Sequence, residues 1–261
     1  MTAKILHLDI ETAPNIAAVW GMWEQNAIWF ESEWYMLTWA AKWHGEDHVY
    51  YNSLHHHPEF NGDHRNDRPL VETLIPYLHE ADIIVGQNVD KFDLRKIKAR
   101  CLEFGIKPPR PYKTVDTLKV ARKHFALNSY SLDNIAKMLK VGRKMPTGGK
   151  QLWKDCFDGN RRAFEKMLAY NIEDVELLER VYTKLLPWTD NHPGLGVYAA
   201  DTGKPICRNC GEDKLKSDGY AYLSKGKYQA YLCKSCGKWQ RDTTNLLTKE
   251  HRKNITMGVI S

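Results

Sequence analysis

The sequence predicts an α/β fold, a mixed sheet flanked by helices, followed by a small C-terminal β hairpin that carries four cysteines. Three observations predict it. Two short apolar runs, Ile5–Ile10 and Ile83–Val85, have the composition of strands buried on both faces of a sheet. Apolar residues at steps of three and four between Arg161 and Leu186 mark a long amphipathic helix. Two Cys-x-x-Cys pairs, Cys207/Cys210 and Cys233/Cys236, bracket two tyrosine-rich segments of strand composition.

The length of 261 residues suits one large domain with a small appendage, or two modest domains, and 43% hydrophobic residues suffice for a core. We expect residues 1–190 to form the main domain, 191–204 a turn-rich linker, 205–245 the cysteine ribbon and 246–261 a basic tail. No apolar run is long enough to cross a membrane, and no basic-then-apolar leader follows Met1. A cytoplasmic protein with no membrane partner is expected. In that setting six cysteines point to metal ligation or free thiols rather than disulfides. The net charge of +6 is uneven: Gly203–Asn254 holds twelve Lys/Arg against five Asp/Glu, which leaves the rest of the chain at −1. A basic C-terminal segment favours a polyanionic partner.

Taken in order, Ile5–Thr12 reads as a buried strand in which Asp9 and Glu11, two apart, point to one face. Two carboxylates held together repel each other unless a cation lies between them. Tyr35–Trp43 and His48–Tyr51 read as strands with a turn at Gly45–Asp47. Trp20, Trp23, Trp29, Trp34, Trp39 and Trp43 are expected to pack in the core and on sheet faces, with one or two near Pro14–Trp23 open to stacking on a base. His55–His57 falls in a polar, solvated stretch. Pro69–Leu78 reads as a short helix and Asp82–Gly86 as a second buried strand. Leu94, Ile97, Cys101 and Phe104 recur at helical spacing, so a helix begins near Asp93; an N-capping role suits Asp90 better than Asp93. Thr114–Thr117 is a short strand, followed by helices over Leu118–His124 and Ser131–Leu139 with Ser131 as N-cap. Asp116 reads as a local cap in preference to an outer-shell carboxylate.

Arg143–Lys150 is a flexible basic loop that lacks the glycine and hydroxyl spacing of a P-loop but suits contact with a phosphate backbone. On the long helix, Phe164, Leu168, Ile172, Val175, Leu178 and Tyr182 form the buried stripe. Tyr170 and Asp174 lie together at its edge, one turn apart, while Glu173 faces water. In the ribbon, Cys207, Cys210, Cys233 and Cys236 form the matched Cys-x-x-Cys pairs of a tetrahedral zinc site; the gap between the pairs is slightly longer than usual and leaves room for a hairpin of Gly219–Leu223 and Tyr228–Leu232 turning at Ser224–Lys227. Tyr220, Tyr222, Tyr228, Tyr231 and Trp239 alternate with Lys225, Lys227, Lys234, Lys238 and Arg241. That mixture suits nucleic acid, docking to a protein partner, or simple capping of the fold.

Asp9-Ile10-Glu11, Asn88-Val89-Asp90-Lys91-Phe92-Asp93 and Tyr170-Asn171-Ile172-Glu173-Asp174, in this order, resemble the three motifs of the DEDD 3′–5′ exonucleases, in the variant where tyrosine replaces histidine. The resemblance covers Met1–Pro187 and is similar in order and spacing to the proofreading domain of family B DNA polymerases. The ribbon resembles those on stand-alone phage or prophage exonucleases. The resemblance implies an RNase H-like (DnaQ-like) mixed sheet and a 3′–5′ exonuclease that releases nucleoside 5′-monophosphates, with DNA preferred. It implies two Mg2+ or Mn2+ ions held by Asp9, Glu11, Asp93 and Asp174, with Asp9 bridging, and a structural Zn2+ on the four cysteines. Tyr170 would orient the attacking water; its ordinary pKa near 10 makes it a poor base at neutral pH. Asn88 and Phe92 would shape the site, with Thr12 and Lys150 as further substrate contacts.

The chemistry asks for this residue set independently. A phosphodiester's anionic oxygens repel a nucleophile, and two divalent ions about 4 Å apart overcome that repulsion. Four carboxylates balance the charge of two such ions, and oxygen ligands suit hard cations. An exoribonuclease with the same site, and a nucleic-acid-binding scaffold without catalysis, remain the competing readings at this stage.

Overall fold

A computed structural model describes residues 3–23 and 26–257 of the chain. The chain divides into two compact units, Lys4–Tyr182 and the residues from Thr183 onward, each described here by itself. Among the described residues, no helix is long and apolar enough to cross a membrane.

The first unit is built on β1 (Ile5–Thr12). A small hairpin follows, β2 (Ile16–Ala18) and β3 (Trp29–Ser32), then β4 (Met36–Trp43) and β5 (Val49–Ser53). Helix α1 (Arg68–Glu80), β6 (Ile83–Gly86), α2 (Asp93–Phe104) and β7 (Lys113–Asp116) come next. Four helices complete the unit: α3 (Thr117–His124), α4 (Leu132–Leu139), α5 (Gln151–Phe157) and α6 (Arg161–Leu185). The main sheet runs β5-β4-β1-β6-β7. Its β4 and β5 are antiparallel additions, whereas β6 lies parallel to β1 and β7 parallel to β6, so the sheet is mixed as the sequence predicts.

The central place of β1 explains its composition. Leu6, Leu8 and Ile10 are buried in the main core with Trp39, Leu70, Leu74 and Ile97. The odd-numbered residues face α6: the His7 ring lies 5.2 Å from Tyr182, and Asp9 and Glu11 pair across the ladder with Ala40 and Thr38. Ala40 has only a methyl group, and it clusters with Val49, Val175 and Ile172, so α6 settles close over the sheet at that point. Glu179 of α6 fixes the far end, accepting from Gly45 N–H at 2.8 Å and pairing with Lys42 and His44. His7, His44 and Glu179 thus gather in one cluster, but Lys42 already supplies its cation.

Several expectations are corrected. Trp20 and Trp23, beyond the end of β2, are 84% and 88% exposed, and Trp29, at the start of β3, is also exposed; Trp39 is buried and Trp34 and Trp43 are half-buried. Asp90 does not cap α2. It pairs with Lys119 at 2.6 Å, and Phe92 occupies the cap position because the intervening residues form a tight turn. His55 and His56 lie in a short 3-10 turn, Leu54–His56, and His57 joins it to a second one, with His55 Nδ1 2.8 Å from Ser53 Oγ. The sequence does not predict helix α5, whose seven residues are too few to establish a period. Ser131 caps α4 and Asp116 caps α3, both as expected.

The second unit carries a three-stranded antiparallel sheet in the order β10-β9-β8, with β8 (Leu215–Leu223), β9 (Gly226–Cys233) and β10 (Trp239–Arg241). A short helix, α7 (Lys249–Lys253), capped by Thr248, stands within the stretch read as a basic tail.

Candidate metal centre

The first unit brings together acids from three elements. Asp9, Glu11 and Asp174 each offer a carboxylate oxygen, and the three oxygens lie within 4.8 Å of one another. The pleat of β1 points Asp9 and Glu11 at α6, and Asp174 meets them from α6, one turn after Tyr170. Asp93, the first residue of α2, stands at the edge of this group, its Oδ1 accepting the Ile10 N–H at 3.1 Å. Asp93 and Asp174 are buried, and Asp9 and Glu11 half-buried.

Burial raises the proton affinity of all four. Asp9 is held well above its ordinary range by burial and then by the charges of Asp93, Glu11 and Asp174. Burial pushes Glu11 up to about 8 against the pull of Lys144, and Asp93 up to about 7 against its backbone hydrogen bonds. Asp174 is also raised by burial, with Lys144 opposing. Tyr170 is raised by burial and by the Asp174 charge, so its hydroxyl stays protonated at neutral pH.

Two side chains that the sequence does not single out complete the site. Asn171 is buried; its Nδ2 donates to Asp9 Oδ2 at 2.6 Å and its Oδ1 accepts from Thr38 Oγ1 at 3.0 Å, which fixes the orientation of Asp9. Its signal was present, since a polar residue on a buried helix face needs partners. Lys144 enters from the 141–150 loop: its Nζ donates to Tyr170 Oη at 2.7 Å and to Asp174 Oδ2. Burial works against the ammonium charge, and Asp174 more than offsets it. Gly142 makes this approach possible. It sits at φ +144°, and a Cβ there would lie 2.9 Å from Leu177 Cδ1 on α6. Nothing in the loop's sequence marks that it folds back onto α6.

The turn that delivers Asp93 is tightly specified. Asn88 adopts φ +66°, the left-handed region that Asn tolerates, and its N–H donates to Asp116 Oδ1 at 3.0 Å. Lys91 and Phe92 donate back to Asn88 O. A Cβ on Gly86 would fall 2.5 Å from Val89 Cβ, so the strand-to-turn passage admits only glycine. Gly86→Ala is therefore expected to displace Asp93 and lower activity by about 10-fold or more while the protein stays folded, as overpacking typically costs about 1–3 kcal/mol. Steady-state rates beside a thermal melt check this; an unaltered rate would show that the turn does not set Asp93.

Of the remaining expected contacts, Thr12 is buried at an irregularity of the β1–β4 ladder, and Phe92 is partly exposed with Lys96 Nζ 5.0 Å from its ring centre. Lys150 is exposed, immediately before α5.

The donor set fits hard divalent cations. All four acids offer oxygen, their charge exceeds that of the single ammonium among them, and Asp174 Oδ1 is buried with no partner. In the second unit the four cysteines converge: Cys207 and Cys236 Sγ are 3.6 Å apart, as are Cys210 and Cys233 Sγ. Sulfurs at zinc–thiolate distance around one tetrahedral ion stand about 3.8 Å apart. Each knuckle closes alike, Gly211 N–H to Cys207 O and Gly237 N–H to Cys233 O at 2.9 Å, with both glycines at positive φ.

A family model described as the RNase H superfamily matches residues 44–186. Among solved structures, the chain is similar to a family B DNA polymerase from the hyperthermophilic archaeon Pyrobaculum calidifontis, at 16% identity and a TM-score of 0.54 over 87% of this chain. The match spans 32% of that polymerase. No curated protein matches the chain.

Proposed function

This chain belongs to the RNase H superfamily, and from that premise we propose that it is a metal-dependent 3′–5′ exonuclease that hydrolyses DNA to nucleoside 5′-monophosphates. The observation that carries the reading is the convergence of Asp9, Glu11 and Asp174, with Asp93 at their edge and one buried oxygen of Asp174 left without a partner. The likeness to a DNA polymerase favours DNA over RNA.

In this reading Asp9, Glu11, Asp93 and Asp174 would hold two magnesium or manganese ions. The two ions, when bound, supply activation of water and neutralisation of the leaving oxygen. Asn171 and Thr38 keep the Asp9 carboxylate aimed into the site. The Tyr170 hydroxyl, fixed by Lys144, retains its proton and orients the attacking water rather than deprotonating it. Lys144 offsets part of the acidic charge beside Asp174 and so lowers the barrier to approach of an anionic strand. Asn88, Phe92, Thr12 and Lys150 remain assigned to the substrate's terminal nucleotide and backbone.

The cysteines of the second unit would hold a structural zinc ion, and strands β8 and β9 present cation-covered tyrosines. Lys227 Nζ lies 3.9 Å from the Tyr220 ring centre, and the Arg241 guanidinium 4.2 Å from that of Tyr228. Stacked aromatics with cations suit unpaired bases and their phosphates.

End-labelled single- and double-stranded DNA and RNA, incubated with magnesium or manganese, test the proposal. Stepwise shortening from the 3′ end, fastest on DNA, is expected. Shortening from the 5′ end or internal cleavage would overturn the polarity; a shifted but uncut band would leave a binding scaffold.

A further inference from the structure

Arg162, Lys166, Tyr170 and Asp174 follow one another at four-residue steps on α6. Each step rises about 6 Å, so the row leads from the acidic site along the helix with one cation per turn. Arg162 and Lys166 are exposed. The 141–150 loop lies against this row, held in part by Lys166 Nζ donating to Thr147 O at 2.9 Å.

Two open cavities flank the loop. One of about 490 Å³ touches Tyr170 and is lined by Lys137, Arg143 and Lys144 against the single acid Asp133. The other, of about 330 Å³, is lined by Arg162 and Lys166 against Asp155. They share Thr147 as a lining residue. Asp133 is engaged by Lys137 and by the Lys144 N–H, and Asp155 by Gln151 Nε2 at 2.6 Å, so each cavity keeps a cationic balance.

We infer that these two cavities form one track for the phosphates of an unpaired nucleic-acid strand, with its end at the acids and the following nucleotides along Arg143, Lys166 and Arg162. This rests on the nuclease reading and adds to it the path and the strand form. A single strand fits because Lys166 and Arg162 form one row on α6, with Arg143 of the 141–150 loop lining the cavity nearer the acids. Repeated cations about one helical turn apart match a repeated anion, and an isolated small anion would need only the first cavity. An acidic protein surface is the competing occupant.

The test measures binding by fluorescence anisotropy with labelled oligothymidylates of two to six nucleotides, in magnesium-free buffer, on the full chain. Wild type is expected to bind more tightly as the strand lengthens. Arg162→Ala/Lys166→Ala is expected to bind the dinucleotide as wild type does but the hexanucleotide about 10-fold more weakly. The slope of log affinity against log salt is expected to fall by about 1.4, two cations at about 0.7 each for a single strand. Lys98→Ala/Lys107→Ala, which removes the same charge from exposed positions elsewhere, should leave the slope unchanged. An unchanged slope in the Arg162/Lys166 variant, or equal losses in both variants, overturns the track. Because binding needs no turnover, failure of the nuclease reading shows separately, as absence of hydrolysis by a wild type that still binds.

Discussion

Asp174→Asn is expected to lower the single-turnover rate of hydrolysis by about 1000-fold or more at saturating magnesium. The substitution keeps the shape of the side chain and removes one negative charge from the group of three oxygens. Loss of a ligand to a catalytic ion costs several kcal/mol of transition-state stabilisation, and each 1.36 kcal/mol is tenfold in rate. Asp9→Asn should cost at least as much. The two variants should differ in the stability of the metal-free protein. Asp9 is surrounded by Asp93, Glu11 and Asp174, so neutralising it relieves repulsion and should raise Tm. Asp174 pairs with Lys144, so neutralising it leaves a half-buried ammonium without its counter-charge and should lower Tm or leave it unchanged. A rate within tenfold of wild type for either variant would remove these acids from the chemistry.

The parts of the site that lie on regular elements are legible in the sequence. Alternation on β1 places Asp9 and Glu11 on one face, and the period of α6 places Tyr170 beside Asp174. Their facing each other follows from the apolar stripe of α6 lying on the face of the sheet that carries Asp9 and Glu11. Lys144 was hidden because its position depends on how a loop lies over α6, which Gly142 permits but no local pattern encodes. Asn171 lay in plain view within a motif, yet its role depends on a cross-sheet partner, Thr38, which only the β1–β4 register supplies. The tryptophans differ: composition argues for burial, but Trp20 and Trp23 follow the three-residue strand β2 and stay exposed. In the second unit the paired cysteines and the tyrosine-rich segments between them suffice to place the hairpin, because four cysteines that converge fix where the chain must return.

The same acids make the metal-free protein sensitive to pH in a direction opposite to ordinary acid denaturation. Folded-state proton affinities of Glu11 and Asp93 stand at about 8 and about 7, far above the range of an unfolded chain, and those of Asp9 and Asp174 are raised as well. Between about pH 4 and pH 8 the native state therefore holds more protons than the unfolded state, and stability falls as pH rises. The stabilising contribution of the protonated acids is complete below about pH 4 and is lost through the folded values near 7 and 8. The expected loss between pH 5 and pH 8 is several kcal/mol, since Glu11 and Asp93 alone contribute about 6 kcal/mol at these values, which lowers Tm by roughly 10 °C or more for a chain of this size. Magnesium should reverse it, adding about 2.7 kcal/mol at a hundredfold excess over its Kd. At pH 5 the gain should be small, because binding must first displace protons. Thermal melts with and without magnesium at the two pH values, in magnesium-free buffer rather than chelator so that a cysteine-held ion stays in place, measure all four corners. Asp9→Asn/Glu11→Gln should flatten both dependences. If wild-type stability is instead constant or rises from pH 5 to pH 8, the acids are not held close enough to need a cation, and the metal centre is not preformed.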